Sequence, residues 1–258
     1  MSAGPVSSAP TLFISDLHLD GEHPEITAQF LDFIEREASQ ARALYILGDL
    51  FEAWIGDDDP DPDKQRVTSA LRSLTASGVP VYFIHGNRDF LIGRRFSAAT
   101  GVQLLPDGSR IELYGQRVLL MHGDTLCIDD SDYQRLRRIV RNPVVQFILR
   151  NLSLRQRQKL AARMRAGSKA HIESMDRIKP QIMDVNQDAV RRTFETEQVD
   201  VIVHGHTHRP AIHEVKLGDR TARRIVLGDW YEQGSVLRWN EQGFELAGLN
   251  RAQAGAPE

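Results

Sequence analysis

Six short apolar runs constrain this chain more than any other feature: Thr11–Ser15, Ala43–Leu47, Val79–Ile84, Arg117–Met121, Val199–Val203 and Arg224–Leu227. Rich in Val, Ile, Leu and aromatics, they predict strands buried on both faces. Helical spacing recurs between them. Ile26, Phe30, Phe33 and Ile34 share one face behind Pro24, a residue suited to a first helical turn. Val67, Leu71 and Leu74 share another, closed by Gly78, and Val190 with Phe194 marks a third. This alternation predicts an α/β sheet with helices on both sides. Ile212–Val215 and Arg223–Leu227 flank Leu217-Gly218-Asp219 and predict a hairpin.

From about Asp129 to Met183 the rhythm breaks. Only helical patterns appear, with Pro143 near one start and Asn151-Leu152-Ser153 as an interruption, so a helical insertion over the sheet is expected. Between Tyr133 and Ala170 there are eleven Lys and Arg and no Asp or Glu, although the whole chain has a net charge of −3. The same stretch holds Val144, Val145, Phe147, Ile148, Leu149, Leu152 and Leu154. A solvated face would explain the cations alone; cations mixed with apolar residues fit an anionic lipid surface better. At 258 residues, 41% hydrophobic, the chain has room for one such domain with a modest insertion. Cys127 is the only cysteine, so no intrachain disulfide forms and a reducing cytoplasm is expected. No apolar run is long enough to span a bilayer. The opening MSAGPVSSAP has neither the basic nor the apolar region of a signal peptide, which predicts a disordered lead over 1–10; a flexible tail is expected over 249–258.

Ligands in open α/β sheets gather beyond the carboxyl ends of strands. Five runs lead there into Asp16-Leu17-His18, Gly48-Asp49, Gly86-Asn87-Arg88-Asp89, His122-Gly123-Asp124 and His204-Gly205-His206-Thr207-His208. Each piece alone is commonplace. Together they crowd carboxylates and imidazoles at one sheet edge, and divalent metals such as Mn, Fe or Zn would compensate that charge. Spacing does not choose between His204 and His206. Asp124 is expected to orient His122, and Asp57-Asp58-Asp59 to form a solvated loop. Asp229 and Trp230 are expected to pack beneath the site. His23, His85, His171 and His213 read as structural or surface residues, and no base accompanies Cys127 in sequence.

Asp16-x-His18, Gly48-Asp49, Gly86-Asn87-Arg88-Asp89, His122 and Gly205-His206-x-His208, in this order, resemble the calcineurin-like metallophosphoesterases over residues from about 11 to 230. The resemblance implies a four-layered α/β/β/α sandwich and a two-metal hydrolase. One metal would be held by Asp16, His18, Asp49 and His208, the other by Asp49, Asn87, His122 and His206, which leaves His204 structural. Asp49, Asn87, Arg88, His122 and His206 are the implied catalytic residues. Where the family usually has histidine, this chain has Arg88. Arginine stays protonated and cannot act as a general acid, but its planar fork binds phosphate. That suits a leaving group needing no proton, such as a phosphate expelled from a pyrophosphate. A salt bridge from Arg88 to Asp89 or Asp57 is the plainer reading.

ISDLHL, YILGDLFEAWIGDD, HGNRDFLIG, LMHGDTLCIDD, NPVVQFILRNLSL and HGHTHRPA resemble, more closely, the UDP-2,3-diacylglucosamine hydrolase family, over nearly the whole chain. That resemblance implies water attack on the UMP phosphorus, giving UMP and 2,3-diacylglucosamine 1-phosphate on the way to lipid A. It implies two divalent metals, expected to be Mn2+, and a cytoplasmic enzyme peripheral on the inner face of the inner membrane. Residues 129–183 would form a lid over a core of 11–128 and 184–248. The implied substrate contacts are Asn87, Arg88, Asp130, Ser168 and His206, with Lys179 preferred to Lys169 or Arg177 where the resemblance weakens. No obligate protein partner is implied. Nucleic acid fits poorly, because the basic segment lacks an aromatic stacking platform. Two rivals are a soluble phosphodiesterase for another nucleotide or diester, which the lid disfavours, and a non-catalytic scaffold, which would be expected to have lost ligands.

Overall fold

The apolar runs do form strands, but they divide between two sheets rather than one. The computed structural model describes residues 9–178, 184–231 and 234–249, the side chains of 168–178 excepted. In the first sheet, β1 (Thr11–Ile14), β2 (Ala43–Ile46), β3 (Val81–Ile84) and β4 (Gln103–Leu105) run parallel in that order. The second contains β5 (Ser109–Leu113), β6 (Gln116–Leu120), β7 (Val201–His204), β8 (Ala211–Leu217) and β9 (Arg220–Val226), in the order β5-β6-β7-β9-β8. Its three inner strands are parallel, and β8 and β9 are the expected hairpin, turning at Gly218 with φ 62°. A second hairpin, β10 (Ser235–Asn240) with β11 (Gly243–Gly248), completes the first sheet by pairing antiparallel with β1. Sequence reading missed this hairpin, whose outer strand is only half-buried.

Side chains alternate across a strand, and that alternation builds three cores. Phe13, Leu47, Ile84, Val118, Leu120, Val201, Val203, Ile225, Leu237 and Trp239 meet between the sheets. Leu12, Ile14, Leu44, Ile46, Val81 and Phe83 face outward from the first sheet, onto α1 (Pro24–Arg36), α2 (Pro62–Ala76) and α3 (Arg94–Thr100). Leu119 and Ile202 face outward from the second, onto α7 (Gln187–Glu197) through Val190 and Phe194. The result is the four-layered α/β/β/α sandwich. A continuous apolar run reports two covered faces without saying whether a helix or a sheet covers each one, so the run alone could not separate the two sheets.

The acidic loop before α2 is not merely solvated. The Asp57 carboxylate accepts from the backbone N–H groups of Gly93, Arg95 and Phe96 and from Trp54 Nε1, capping α3 from a distant loop. Asp58 forms a two-pronged ion pair with Arg157, and Asp59 bonds Lys64 at 2.6 Å.

Between the second sheet's β6 and β7 lie α4 (Ser131–Val140), α5 (Pro143–Asn151) and α6 (Leu154–Ile178), with no strand among the described residues there. Asp130 caps α4 and Asn142 caps α5, with Pro143 in its first turn. Val140, Leu149 and Met164 pack onto the first core. Val144 and Phe147 stay exposed, at 66% and 68%. Part of the basic segment turns inward: Arg157 is buried and donates to the Ile55 carbonyl at 2.7 Å as well as to Asp58.

Asp57→Ala leaves the N–H groups of Gly93, Arg95 and Phe96 at the start of α3 without their acceptor. It is expected to lower stability by about 1–3 kcal/mol, read as a reduced urea midpoint; an unchanged midpoint would remove Asp57 from this role.

Candidate metal centre

The carboxyl ends of β1, β2 and β3 meet those of β6 and β7 across the sandwich, and the polar motifs converge there. The backbone of these loops is unusual. Seven described non-glycine residues have positive φ, and five of them are Asp16, His18, Asp49, His206 and His208, at 50–70°. Such conformations are costly for residues with a Cβ and persist where surrounding structure enforces them, often at functional sites. Two glycines allow the loops to nest. A Cβ on Gly86 would lie 2.0 Å from Asp49 Oδ1, and one on Gly205 2.1 Å from Asp16 Oδ2.

Asp16, Asp49 and His122 each have one polar atom anchored and another presented. Asp16 Oδ2 accepts from Ser15 Oγ and, at 2.9 Å, from His206 N–H. Its Oδ1 is buried without a hydrogen bond, 3.5 Å from His208 Nε2. Asp49 Oδ1 accepts from Arg88 N–H, while Oδ2 lies 3.9 Å from His18 Nε2 and 3.8 Å from His122 Nε2. His122 Nδ1 donates to the Leu47 carbonyl, which leaves Nε2 directed at Asn87 Oδ1, 2.9 Å away. His206 Nδ1 approaches the same Asn87 oxygen at 3.2 Å, and His18 Nε2 faces His208 Nε2 at 3.3 Å.

Two opposed groupings emerge, Asp16 with His18 and His208, and Asn87 with His122 and His206, and Asp49 stands between them. Imidazole nitrogens pointed at one another, beside an orphaned buried carboxylate oxygen, are the arrangement a cation resolves. Asp16, His18 and His208, and likewise Asp16, Asp49 and His122, present ligand atoms within 4.8 Å of one another. Mixed carboxylate and imidazole donors suit divalent transition metals.

The electrostatics agree. Burial opposes protonation of His122, but Asp49, Asp16 and Asp124 overcome it and carry its pKa to about 9. Desolvation also opposes protonation of His208, whose side chain stays 38% exposed, but Asp16 and Asp229 carry its pKa to about 10. His206 falls to about 4 through burial and the neighbouring His122. Asp89, holding the Gly86 and Leu50 N–H groups, rises to about 7 from burial and from Asp49. This pocket retains positive charge even at the cost of burying it.

Several expectations are corrected. Asp124 does not orient His122; the Leu47 carbonyl does, while Asp124 accepts from Tyr133 Oη and Arg137 Nε. Asp229 does more than pack, since Oδ2 lies 3.4 Å from His208 Nδ1. Trp230 is fully buried against Phe30 and Phe33. Arg88 pairs with neither Asp89 nor Asp57 but with Glu52, at 3.4 Å. Sequence reading missed Glu52, whose other oxygen is 3.1 Å from His18 Nδ1; only its position three residues after Asp49 could have pointed to it. Carboxylates at the far nitrogen of a ligand histidine fix its ring and raise its basicity.

His204 stays behind the site, its Nδ1 donating to Gly205 O and its Nε2 accepting from Arg224. Asp130 accepts from Tyr133 N–H at the start of α4. The Ser168 side chain and Lys179 lie outside the described residues. Cys127 is buried, its thiol pushed up to about 12 chiefly by burial, which favours the neutral thiol at neutral pH.

Residues 9–210 match the family model described as calcineurin-like phosphoesterase. A UDP-2,3-diacylglucosamine hydrolase of Yersinia enterocolitica is 52% identical over 236 residues, spanning 92% of this chain and 97% of the relative. One from Pseudomonas fluorescens is 53% identical over 240 residues, spanning 93% and 95%. Among solved structures, an archaeal phosphodiesterase aligns with a TM-score of 0.47 at 11% identity, covering 93% of this chain and 99% of its own.

Adding Mn2+ to chelator-stripped protein should raise its melting temperature. At about 100-fold above Kd the gain is about 2.7 kcal/mol, or roughly 5–10 °C for a chain of this size. Asp49→Ala, removing the carboxylate between the two groupings, should abolish most of that shift; an undiminished shift would exclude Asp49 as a ligand.

Proposed function

The chain belongs to the calcineurin-like phosphoesterases and, within them, to the UDP-2,3-diacylglucosamine hydrolases, and from that membership we infer that it hydrolyses the pyrophosphate bond of UDP-2,3-diacylglucosamine. The products are UMP and 2,3-diacylglucosamine 1-phosphate, the latter destined for lipid A. Asp16, His18, Asp49 and His208 would hold one divalent cation, and Asp49, Asn87, His122 and His206 the other; Mn2+ suits the donor set. Two such cations would acidify a water towards neutral pH and neutralise phosphate charge.

One observation carries this reading. Arg88 and Asn87 stand at the edge of a cavity of about 340 Å3 whose other walls include Trp54, Phe90, Leu136, Val140, Leu149 and Met164. A phosphate centre opening directly onto apolar walls suits a substrate with a charged head and long acyl chains, and gives a small hydrophilic diester little to bind. Arg88 Nε is buried without a hydrogen-bond partner, so the guanidinium keeps unmet donor capacity at the cavity edge. Glu52 holds the guanidinium beside the ligand cluster. Attack on the UMP phosphorus expels a phosphate that needs no proton, so a permanently charged arginine serves where a general acid would be needed for an alkoxide.

Residues 129–183 are the lid of this cavity, closing over a core of 11–128 and 184–248. Among the described residues of the lid, Asp130 contacts the substrate. The exposed Val144, Phe147 and Ile148 of α5, with Arg150 beside them, rest on the anionic inner face of the membrane. No helix among the described residues is long and apolar enough to cross it.

Purified protein in detergent should release UMP from UDP-2,3-diacylglucosamine with Mn2+ and stop when chelator is in excess. Mn2+-dependent cleavage of a simple diester without UMP release would retain the metal site and discard the lipid substrate. Arg88→Ala should lower kcat by about 100-fold, the scale of losing one donor to developing charge, with metal content unchanged. Loss of metal in that variant would instead make Arg88 part of the scaffold.

A further inference from the structure

The basic helices contribute more to this site than a cover. Arg137 and Arg141 lie one turn apart on the same face of α4, and both point into the ligand loops rather than to solvent. Arg141 Nη2 donates to the His85 carbonyl at 3.1 Å and the Gly86 carbonyl at 2.9 Å. These peptides immediately precede Asn87 and Arg88. Asp89 holds the same segment from the other side, accepting from Gly86 N–H at 2.8 Å. Gly86 is therefore gripped at both its N–H and its carbonyl, in the one place where it has no room to retreat from Asp49.

Arg137 reaches the other loop. Its Nη2 donates to Asp107 Oδ2 at 2.9 Å, and Asp107 Oδ1 accepts from His122 N–H at 3.0 Å, so one carboxylate connects α4 to the backbone of His122. Arg137 Nε donates to Asp124 Oδ2 at 2.7 Å, and Tyr133 Oη, one turn earlier, donates to the same oxygen at 2.8 Å. The Tyr133 ring also lies against His206, with centroids 5.8 Å apart. Asp124 Oδ2 takes both the Arg137 and the Tyr133 bonds while its Oδ1 is buried without a hydrogen bond, so removing a partner from this charged cluster is costly.

We propose that Arg137 and Arg141 are positioning residues, through which α4 sets the loops carrying Asn87, Arg88 and His122, so that the helical segment completes the metal centre as well as covering the cavity. This rests on the two-cation reading above but not on the identity of the lipid. The rival is that both arginines, which also line the cavity, bind substrate phosphate.

The two arginines differ in a way that can be tested. Arg141 uses a single nitrogen for both carbonyls, so a lysine ammonium can replace much of the contact. Arg137 uses two nitrogens at fixed separation for two carboxylates, which one ammonium cannot span. The experiment titrates Mn2+ calorimetrically into chelator-stripped full-length protein and measures kcat and KM for UMP release. It compares Arg137→Ala, Arg137→Lys, Arg141→Ala and Arg141→Lys, with Arg138→Ala, whose Nε only caps Gln134 O on the exposed side of α4, as control. Circular dichroism and melting curves establish that each variant is folded.

Arg137→Ala, Arg137→Lys and Arg141→Ala should each weaken Mn2+ binding and lower kcat by about 10–100-fold, the usual cost of removing a group that orients metal ligands. KM should change little. Arg141→Lys should recover most of the loss, and Arg138→Ala should match wild type. A rise in KM with undiminished Mn2+ affinity would overturn the proposal and make the arginines substrate ligands. Equal recovery by both lysine variants would also overturn it, because simple charge would then suffice. If wild type binds Mn2+ but releases no UMP while the arginine variants still lose Mn2+ affinity, the substrate reading fails and the brace stands.

Discussion

Buried negative charge at the junction of two sheet edges is the constraint on which this structure turns. Asp16 and Asp49 are essentially inaccessible to water, and an ionised carboxylate removed from water must be paired or coordinate a metal. That negative potential raises the pKa of the neighbouring His122 and His208, and a divalent cation among the same donors would answer the same demand. The local architecture then follows. One oxygen of each aspartate is tied to a backbone N–H, the other is presented, and five ligand candidates occupy a left-handed backbone that sterics disfavour. The sandwich core supplies the rigidity that holds this strain in place.

The second consequence is spatial. Parallel strands deliver their loops to one end, so two sheets packed face to face bring five loops together without any one of them being long. The remaining open side is occupied by α4, α5 and α6. Their charges divide into two populations. Arg137, Arg141 and Arg157 turn inward, to Asp107 and Asp124, to the His85 and Gly86 carbonyls, and to Asp58 and the Ile55 carbonyl. Other cations remain outside beside the exposed apolar residues of α5. A phosphate-binding centre and an apolar cavity become adjacent because the same helices brace one and wall the other.

Most of the centre was legible in the sequence because its chemistry is local. Asp16-x-His18, Gly48-Asp49 and Gly205-His206-x-His208 sit where strands must end, and all seven expected ligands converge. The supporting groups were not legible. Glu52, Asp107 and Asp229 act through the fold, and nothing in their sequence surroundings distinguishes them from surface acids. Asp57-Asp58-Asp59 failed for the same reason: each finds a partner on another element, beyond what spacing can report. The two-sheet division came from the family resemblance and not from the runs themselves, because a doubly buried strand reads alike under a helix or a sheet; β11 was missed because its apolar residues alternate with exposed ones. Charge counting over α4–α6 found the basic character but not its direction.

The central claim is that Asp49 lies between two cations bound by ligands from opposite sheets. Crystals grown with Mn2+ and measured at its absorption edge test it most directly. The account predicts two anomalous peaks per chain about 3.5–4 Å apart, one among Asp16, His18 and His208 and the other among Asn87, His122 and His206, both touching Asp49. A single peak, or two peaks that do not share Asp49, would contradict it.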